Sequence, residues 1–375
     1  NGRVRVTEQP YHYSLRRDYV LWALIAVLLG LSVAMPDRIV TFPALVHWPT
    51  IQTLLGLLIL TKGLESCGAL LMLSTRIATH IRNERTLALF LMALSVILAM
   101  IMTNDIALFV VVPLTLTLGR IMVLPIRRLV IFEALAVNCG SLLTPIGNPQ
   151  NIFLWQHSGT HFTTFVGTML PLFVICAALL VVFTALAFRS VAVGVHATPP
   201  DLALNRRLLL ISALLYVPFL IMADLRYTAL ALAVVVVVFL LEAPRLLYRI
   251  DWPLMIVFVL MFIDLGVLAS MPWMSHAVVS LNLHQPLRLY TAAALLSQGI
   301  SNVPTAILLA GFSSDWRVIA WGVNAGGFGL VVGSLASLIA LRIGGQRGSL
   351  LAFHAWSVPF FLLCTSAAAL WLWLR

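Results

Sequence analysis

Val137-Asn138-Cys139-Gly140, followed by Gly147-Asn148-Pro149-Gln150-Asn151, is matched 186 residues later by Val323-Asn324-Ala325-Gly326, followed by Gly333-Ser334-Leu335-Ala336-Ser337. The internal spacing is the same in both copies. Neither copy is written as plain helix. Thr144-Pro145-Ile146-Gly147-Asn148-Pro149 holds two prolines, and each removes a backbone donor and clashes with the preceding turn. In the second copy Gly326, Gly327, Gly329 and Gly333 relax the backbone instead. The pattern predicts two broken helices, over 127–157 and 316–341, in two related halves.

Both breaks lie in a chain built for lipid. Of 375 residues, 61% are hydrophobic and 10% charged, with a mean hydropathy of +1.04. Soluble domains have about 25% charged residues, and a water-exposed fold cannot hide this much apolar surface. A crossing needs about 20 mainly apolar residues. Nine are predicted, near 18–35, 50–66, 127–157, 165–188, 204–223, 226–242, 252–270, 316–341 and 351–374. Two further apolar stretches, 86–118 and 286–312, are interrupted by Thr103-Asn104-Asp105 and by Ser301-Asn302-Val303-Pro304. Irregular backbone is not tolerated against lipid but is tolerated where it lines a protein cavity. Both stretches therefore read as re-entrant hairpins with short arms. The expected fold is an all-α integral membrane protein of about nine transmembrane helices plus two re-entrant hairpins, in two inverted repeats. The divisions are an N-terminal cytoplasmic segment (1–17), a first repeat (18–188), a linker and connecting helix (189–225) and a second repeat (226–375).

The net charge of +10 bears on orientation, not on nucleic acid, because the basic residues sit in short gaps between apolar runs. With the N-terminus in the cytoplasm, seventeen arginines fall inside and five outside, while Lys62 lies within a span. This is the positive-inside bias. It places the C-terminus outside and runs 50–66 inward but 252–270 outward, so the halves are inverted.

Paired interrupted helices in inverted repeats point to a transport site. Helix N-termini offer N–H groups and a positive dipole to an anion. Asn and Ser oxygens with freed carbonyls can hold a cation. The candidate substrate or ion ligands in the first half are Thr103, Asn104, Asp105, Asn138, Gly147, Asn148 and Asn151. In the second half they are Ser301, Asn302, Thr305, Asn324, Gly326, Gly333 and Ser334. Ionisable groups within spans are costly and default to function; they make Asp105, Glu133, Lys62 and Asp264 the coupling candidates. Each has two open readings. Lys62 and Asp264, at equivalent positions of the two halves, form either a switchable pair or a structural bridge. Glu133 either pairs with Arg127 and Arg128 or relays protons. Asp105 caps the following helix, carries the coupling ion, or does both. Cys67, Cys139, Cys176 and Cys364 show no redox or metal spacing, and nine histidines show no ligand pair. No phosphate-binding Walker loop is present. No enzyme activity, cofactor or metal is expected beyond a transported or coupling Na+, and the coupling ion is H+ or Na+.

Thr103-Asn104-Asp105 with the apolar run to Pro113 resembles the first hairpin of the ArsB/NhaD/CitM ion-transporter superfamily. Glu133 to Asn138 and Ser141 to Asn151 are similar to its YbiR-type bacterial inner-membrane anion transporters. Ser301-Asn302-Val303-Pro304 and the glycines from Gly326 to Gly333 fit the same group. The resemblance implies a multi-pass bacterial inner-membrane carrier working by alternating access. Its hairpins and broken helices would slide past a scaffold that forms a homodimer. It also implies one half-site at Asn104, Asn148 and Asn151 and another at Asn302, Asn324 and Ser334. The implied cargo is a small anion or oxyanion-like solute, as in arsenite permeases, with a sodium–proton antiporter as the alternative. A citrate or dicarboxylate carrier fits less well, since those relatives carry a neutral Thr where Asp105 stands; a channel is also less favoured.

The arginine count is tested by single-cysteine labelling. A cysteine at position 120 should react only with reagent on the cytoplasmic side, and one at position 160 only from outside. Outside labelling at 120 would remove the hairpin reading.

Overall fold

The structure is a computed structural model and describes residues 19–78, 80–194, 204–274, 276, 282–345 and 348–374. The predicted cytoplasmic segment 1–17 lies outside the described residues, as do 195–203, 277–281 and the C-terminal Arg375. Helices dominate, and backbone pairing between extended segments is confined, among the described residues, to an antiparallel bridge between Asn83 and Ala192.

The first half contains α1 (Tyr19–Ala34), α2 (Trp48–Ser66), α3 (Ala69–Ala78), α4 (Glu84–Ile101), α5 (Asn104–Ile121), α6 (Ile126–Ser141), α7 (Pro149–Ser158) and α8 (Phe162–Ala187). The second contains α9 (Arg206–Asp224), α10 (Thr228–Glu242), α11 (Trp252–Ala269), α12 (Pro286–Ile300), α13 (Asn302–Ala310), α14 (Trp316–Ala325), α15 (Leu335–Gly344) and α16 (Ser349–Leu374). Each predicted crossing coincides with a helix or with a broken pair, α6/α7 and α14/α15. By length and apolarity alone, six described helices can cross a membrane: α4, α5, α8, α9, α11 and α16. Two bent pairs, α1 with 36–45 (120°) and α2 with α3 (51°), raise this to eight. The broken pairs escape such a test because each piece is short, and α10 has only 15 residues.

The first hairpin differs from expectation. Its arms are not short: α4 and α5 have 18 residues each, about 27 Å at 1.5 Å per residue, because the apolar run continues past Pro113 to Ile121. The depth of the turn is set by a contact. The Asn104 amide donates to the Gly147 carbonyl at 2.8 Å, so the turn lies beside the break between α6 and α7. The second hairpin is smaller, with α12 of 15 residues and α13 of 9. Its turn passes through Ser301 at φ 72°, a left-handed conformation that costs a non-glycine residue about 1–3 kcal/mol and clusters at functional sites.

Helices α2, α9 and α10 pack together, as do α1 and α11. Helices α4–α8 and α12–α16 make the remaining body, in which α6 packs on α4 and α14 on α12. The two groups touch where α2 meets α5 and α7 and where α11 meets α13, and α3 packs on both α2 and α5. Small residues permit the close crossings expected where lipid gives helices no hydrophobic drive to associate. A Cβ on Gly140 would lie 2.2 Å from the Val96 carbonyl oxygen of α4. Gly326, 186 residues on, would place one 2.7 Å from the Ala294 carbonyl of α12.

Because the atoms facing Gly140 are backbone, Gly140→Val should destabilise by about 3 kcal/mol or more. Gly167→Val, with open space around it, should melt in detergent within a degree or two of the parent. Equal melting of the two variants would show that the α4–α6 crossing is not tight.

Candidate functional site

The break after α6 is held open by its own side chains. Asn148 caps α7 by accepting from the Asn151 amide at 2.9 Å, as asparagine does at an N-cap. The Asn151 side chain donates to the freed carbonyls of Ser141, Leu142 and Thr144 at 3.2, 3.3 and 3.0 Å. The Thr144 hydroxyl donates to the Met100 carbonyl at 2.8 Å, tying the break to the hairpin arm. A Cβ on Gly147 would fall 2.2 Å from the Ser141 carbonyl oxygen, so the tight return of the chain requires glycine. The second break uses a different anchor. Gln298 of α12 donates to the carbonyls of Gly326 (2.6 Å) and Phe328 (2.9 Å) and accepts from the Leu330 amide at 2.7 Å.

The halves exchange partners across these breaks. Asn324 accepts from the Asn148 side chain at 2.9 Å and donates to that of Asn151 at 2.7 Å. Asn138 accepts from the Ser334 hydroxyl at 3.0 Å and donates to that of Ser337 at 3.1 Å. Asn324, Ser334 and Ser337 stand 186 residues after Asn138, Asn148 and Asn151. The asparagine near the end of each half's pre-break helix thus bonds the equivalent pair of positions in the other half. All four asparagines of this set are buried.

Four helices begin at these turns: α5 and α13 at the hairpin tips, α7 and α15 at the breaks. The tip amides are buried yet less engaged. Asn104 accepts from the Asp105 amide at 3.0 Å, and Asn302 accepts a long 3.4 Å bond from Ser301. Neither side-chain NH2 group has an acceptor among the described residues. The Asn302 Nδ2 lies 3.4 Å from where a Gly327 Cβ would sit. The Thr103 hydroxyl is buried without a partner among the described residues, whereas Thr305 bonds back to the Ser301 carbonyl at 2.8 Å. Hydrogen bonds and chain continuity link Asn104 through Gly147, Asn148 and Asn324 to Gly327.

Residues 16–321 match the family model described as "Citrate transporter". The chain belongs to this family. The inner membrane protein YbiR of Escherichia coli K12 is 40% identical over 94% of this chain and 95% of its own length. An uncharacterized transporter of Methanocaldococcus jannaschii is 29% identical over 80% of this chain and 82% of its own. A 46 kDa membrane protein of Mycobacterium leprae is 22% identical over 88% and 87%. This member of the citrate transporter family is a multi-pass membrane transporter.

The ionisable candidates depart from the sequence reading. Lys62 and Asp264 do not pair. Lys62 bonds Glu65 at 2.7 Å and lies over the Phe109 ring of α5 at 5.7 Å. Glu65 is one turn away on the same, partly exposed face, so this pair avoids burying two charges. Asp264 is 1% exposed, and neither carboxylate oxygen has a hydrogen-bond partner among the described residues. Glu133 does not pair with Arg127 or Arg128. It is fully buried and accepts from the Thr115 hydroxyl of α5, while Arg128 turns to the Ala187 carbonyl. Asp105 is not a cap. It is the second residue of α5, partly exposed, and the cap position belongs to Thr103 without a side-chain bond.

Sequence reasoning missed Gln298 and Ser337. Gln298 was legible as an isolated amide in an apolar arm, one turn before Ser301. Ser337 lay inside the repeat and pairs by offset with Asn151.

The asparagines therefore divide into frame and free groups, which stability separates. Asn324→Ala and Asn138→Ala each strip partners from buried groups, at about 1–3 kcal/mol per group left unsatisfied. Both should lower unfolding free energy by about 2–4 kcal/mol, measured by denaturant titration in detergent. Asn104→Ala and Asn302→Ala should stay within about 1 kcal/mol of the parent.

Proposed function

We propose that this chain is an ion-coupled secondary transporter of a small anion in the bacterial inner membrane. The exchange of partners between Asn138 and Asn324 across the 186-residue offset carries this reading. Two equivalent breaks locked to one another form one frame, and a pseudo-twofold arrangement of inverted halves accounts for that symmetry. The helix starts at α5, α7, α13 and α15 supply the anion's field, since each N-terminus acts as about half a positive charge. The buried Thr103 hydroxyl and the NH2 groups of Asn104 and Asn302 supply donors that no described residue uses. Neutral amides can hold an oxyanion without introducing a charge of their own. The frame asparagines are saturated and so position the tips, while the tips meet the solute. The hairpin body moving past the group of α2, α9, α10 and α11 supplies alternating access, and a homodimer of that group would anchor it.

Asp105 is the proposed coupling group. It is the second residue of α5, beside Asn104, and it is the acid at a hairpin tip. Held in a helix N-terminus, its carboxylate can take a proton or ligate Na+ when access changes side. A sodium–proton antiporter on the same frame is the second reading, favoured by Asp264, a buried carboxyl with no donor among the described residues.

Reconstituted Asp105→Asn should lose accumulation driven by an imposed pH or Na+ gradient by at least tenfold while retaining solute exchange. Counterflow and gradient-driven uptake in the same proteoliposomes measure both. Full gradient-driven uptake by the variant would remove Asp105 from the coupling. Na+/H+ exchange by the parent without any anion flux would select the antiporter.

A further inference from the structure

A cavity of about 470 Å3 opens at the start of α6, away from the hairpin tips, and Pro125, Arg127, Arg128, Ile131 and Trp356 line it. We propose that it holds the phosphate headgroup of an anionic phospholipid. The lining carries two guanidinium groups and, among the described residues, no acid. Arg127 is exposed and forms no ion pair with any described residue. Arg128 uses one nitrogen on the Ala187 carbonyl at 2.6 Å and lies over the Phe188 ring at 5.8 Å, leaving further donors on its fork. The Trp356 ring is fixed against Phe132 (5.2 Å) and Phe183 (6.3 Å). Its indole N–H has no acceptor among the described residues. The first turn of α6 contains no acidic residue, so its N-terminus adds to the positive field.

A free phosphate would find the same donors. The rim argues for a lipid. Val123 and Leu351, next in sequence to the lining residues Leu124 and Ala352, and Leu186, next to the Ala187 that Arg128 bonds, are 74%, 81% and 77% exposed. In a membrane transporter such side chains are covered by acyl chains. The cavity also lies where α6 and α16 begin and α8 ends, the depth at which arginine and tryptophan meet headgroups. A lipid seated here would bridge α6, which carries Asn138, to α16.

The test uses the full chain in phosphatidylcholine nanodiscs with graded phosphatidylglycerol, with retained lipid counted by native mass spectrometry. Each arginine near a membrane surface contributes about fivefold to anionic-lipid affinity. Arg127→Gln with Arg128→Gln should therefore weaken phosphatidylglycerol retention by on the order of twentyfold. Arg127→Lys with Arg128→Lys should keep most of it. Trp356→Phe, which preserves the ring packing, should cost a few fold and provides a folded control if the double variant misfolds. Unchanged retention in both the glutamine double variant and Trp356→Phe would overturn the proposal. So would inorganic phosphate binding to the lipid-free protein as tightly as phosphatidylglycerol.

Discussion

Every interrupted helix inside a bilayer leaves carbonyls and amides that hydrocarbon cannot satisfy, at several kcal/mol each. The rest of this structure follows from how those groups are answered. Asn151 takes three of the carbonyls freed after α6, and Gln298 takes two of those freed after α14. With these groups satisfied, Asn138 and Asn324 are left to lock the halves together. The first hairpin tip, with its Thr103 hydroxyl, is then one of the places where, among the described residues, a buried donor goes unused.

This division also explains why matching asparagines in sequence do not have matching roles in space. Asn148 and Asn104 are both buried polar residues next to a helix start. One is spent on the frame and the other is not. A motif read along the chain weighs them equally, because it carries no account of where each side chain's donors end.

Helix positions were legible because hydrocarbon imposes a simple rule on apolar length, and both breaks were legible from Pro145, Pro149 and the glycines around Gly326. The hairpin turns were legible from three polar residues in apolar surroundings. The arm lengths of the first hairpin were not, since nothing in an apolar run marks the level at which it passes the membrane surface. The pairing of Lys62 was misjudged for a related reason. Offset matching placed Asp264 opposite it, but local helix geometry supplied Glu65 three residues away at less desolvation. Of the two readings open for Glu133, the pairing with its sequence neighbours Arg127 and Arg128 fails likewise, because Thr115 faces it from another helix.

The exchange of partners between the breaks has a consequence in time. Asn138 bonds Ser334, 196 residues downstream, and Asn324 completes Asn148 from 176 residues away. At a synthesis rate of about 5–20 residues per second, the first break waits roughly 10 to 40 s for its partners to leave the ribosome. Throughout that interval a bent, amide-rich segment stands in the membrane with its best partners not yet made. Water, the insertion machinery or another nascent chain must occupy those amides meanwhile. The last helices to be synthesised therefore do more than extend the fold: they release the first half from its temporary partners.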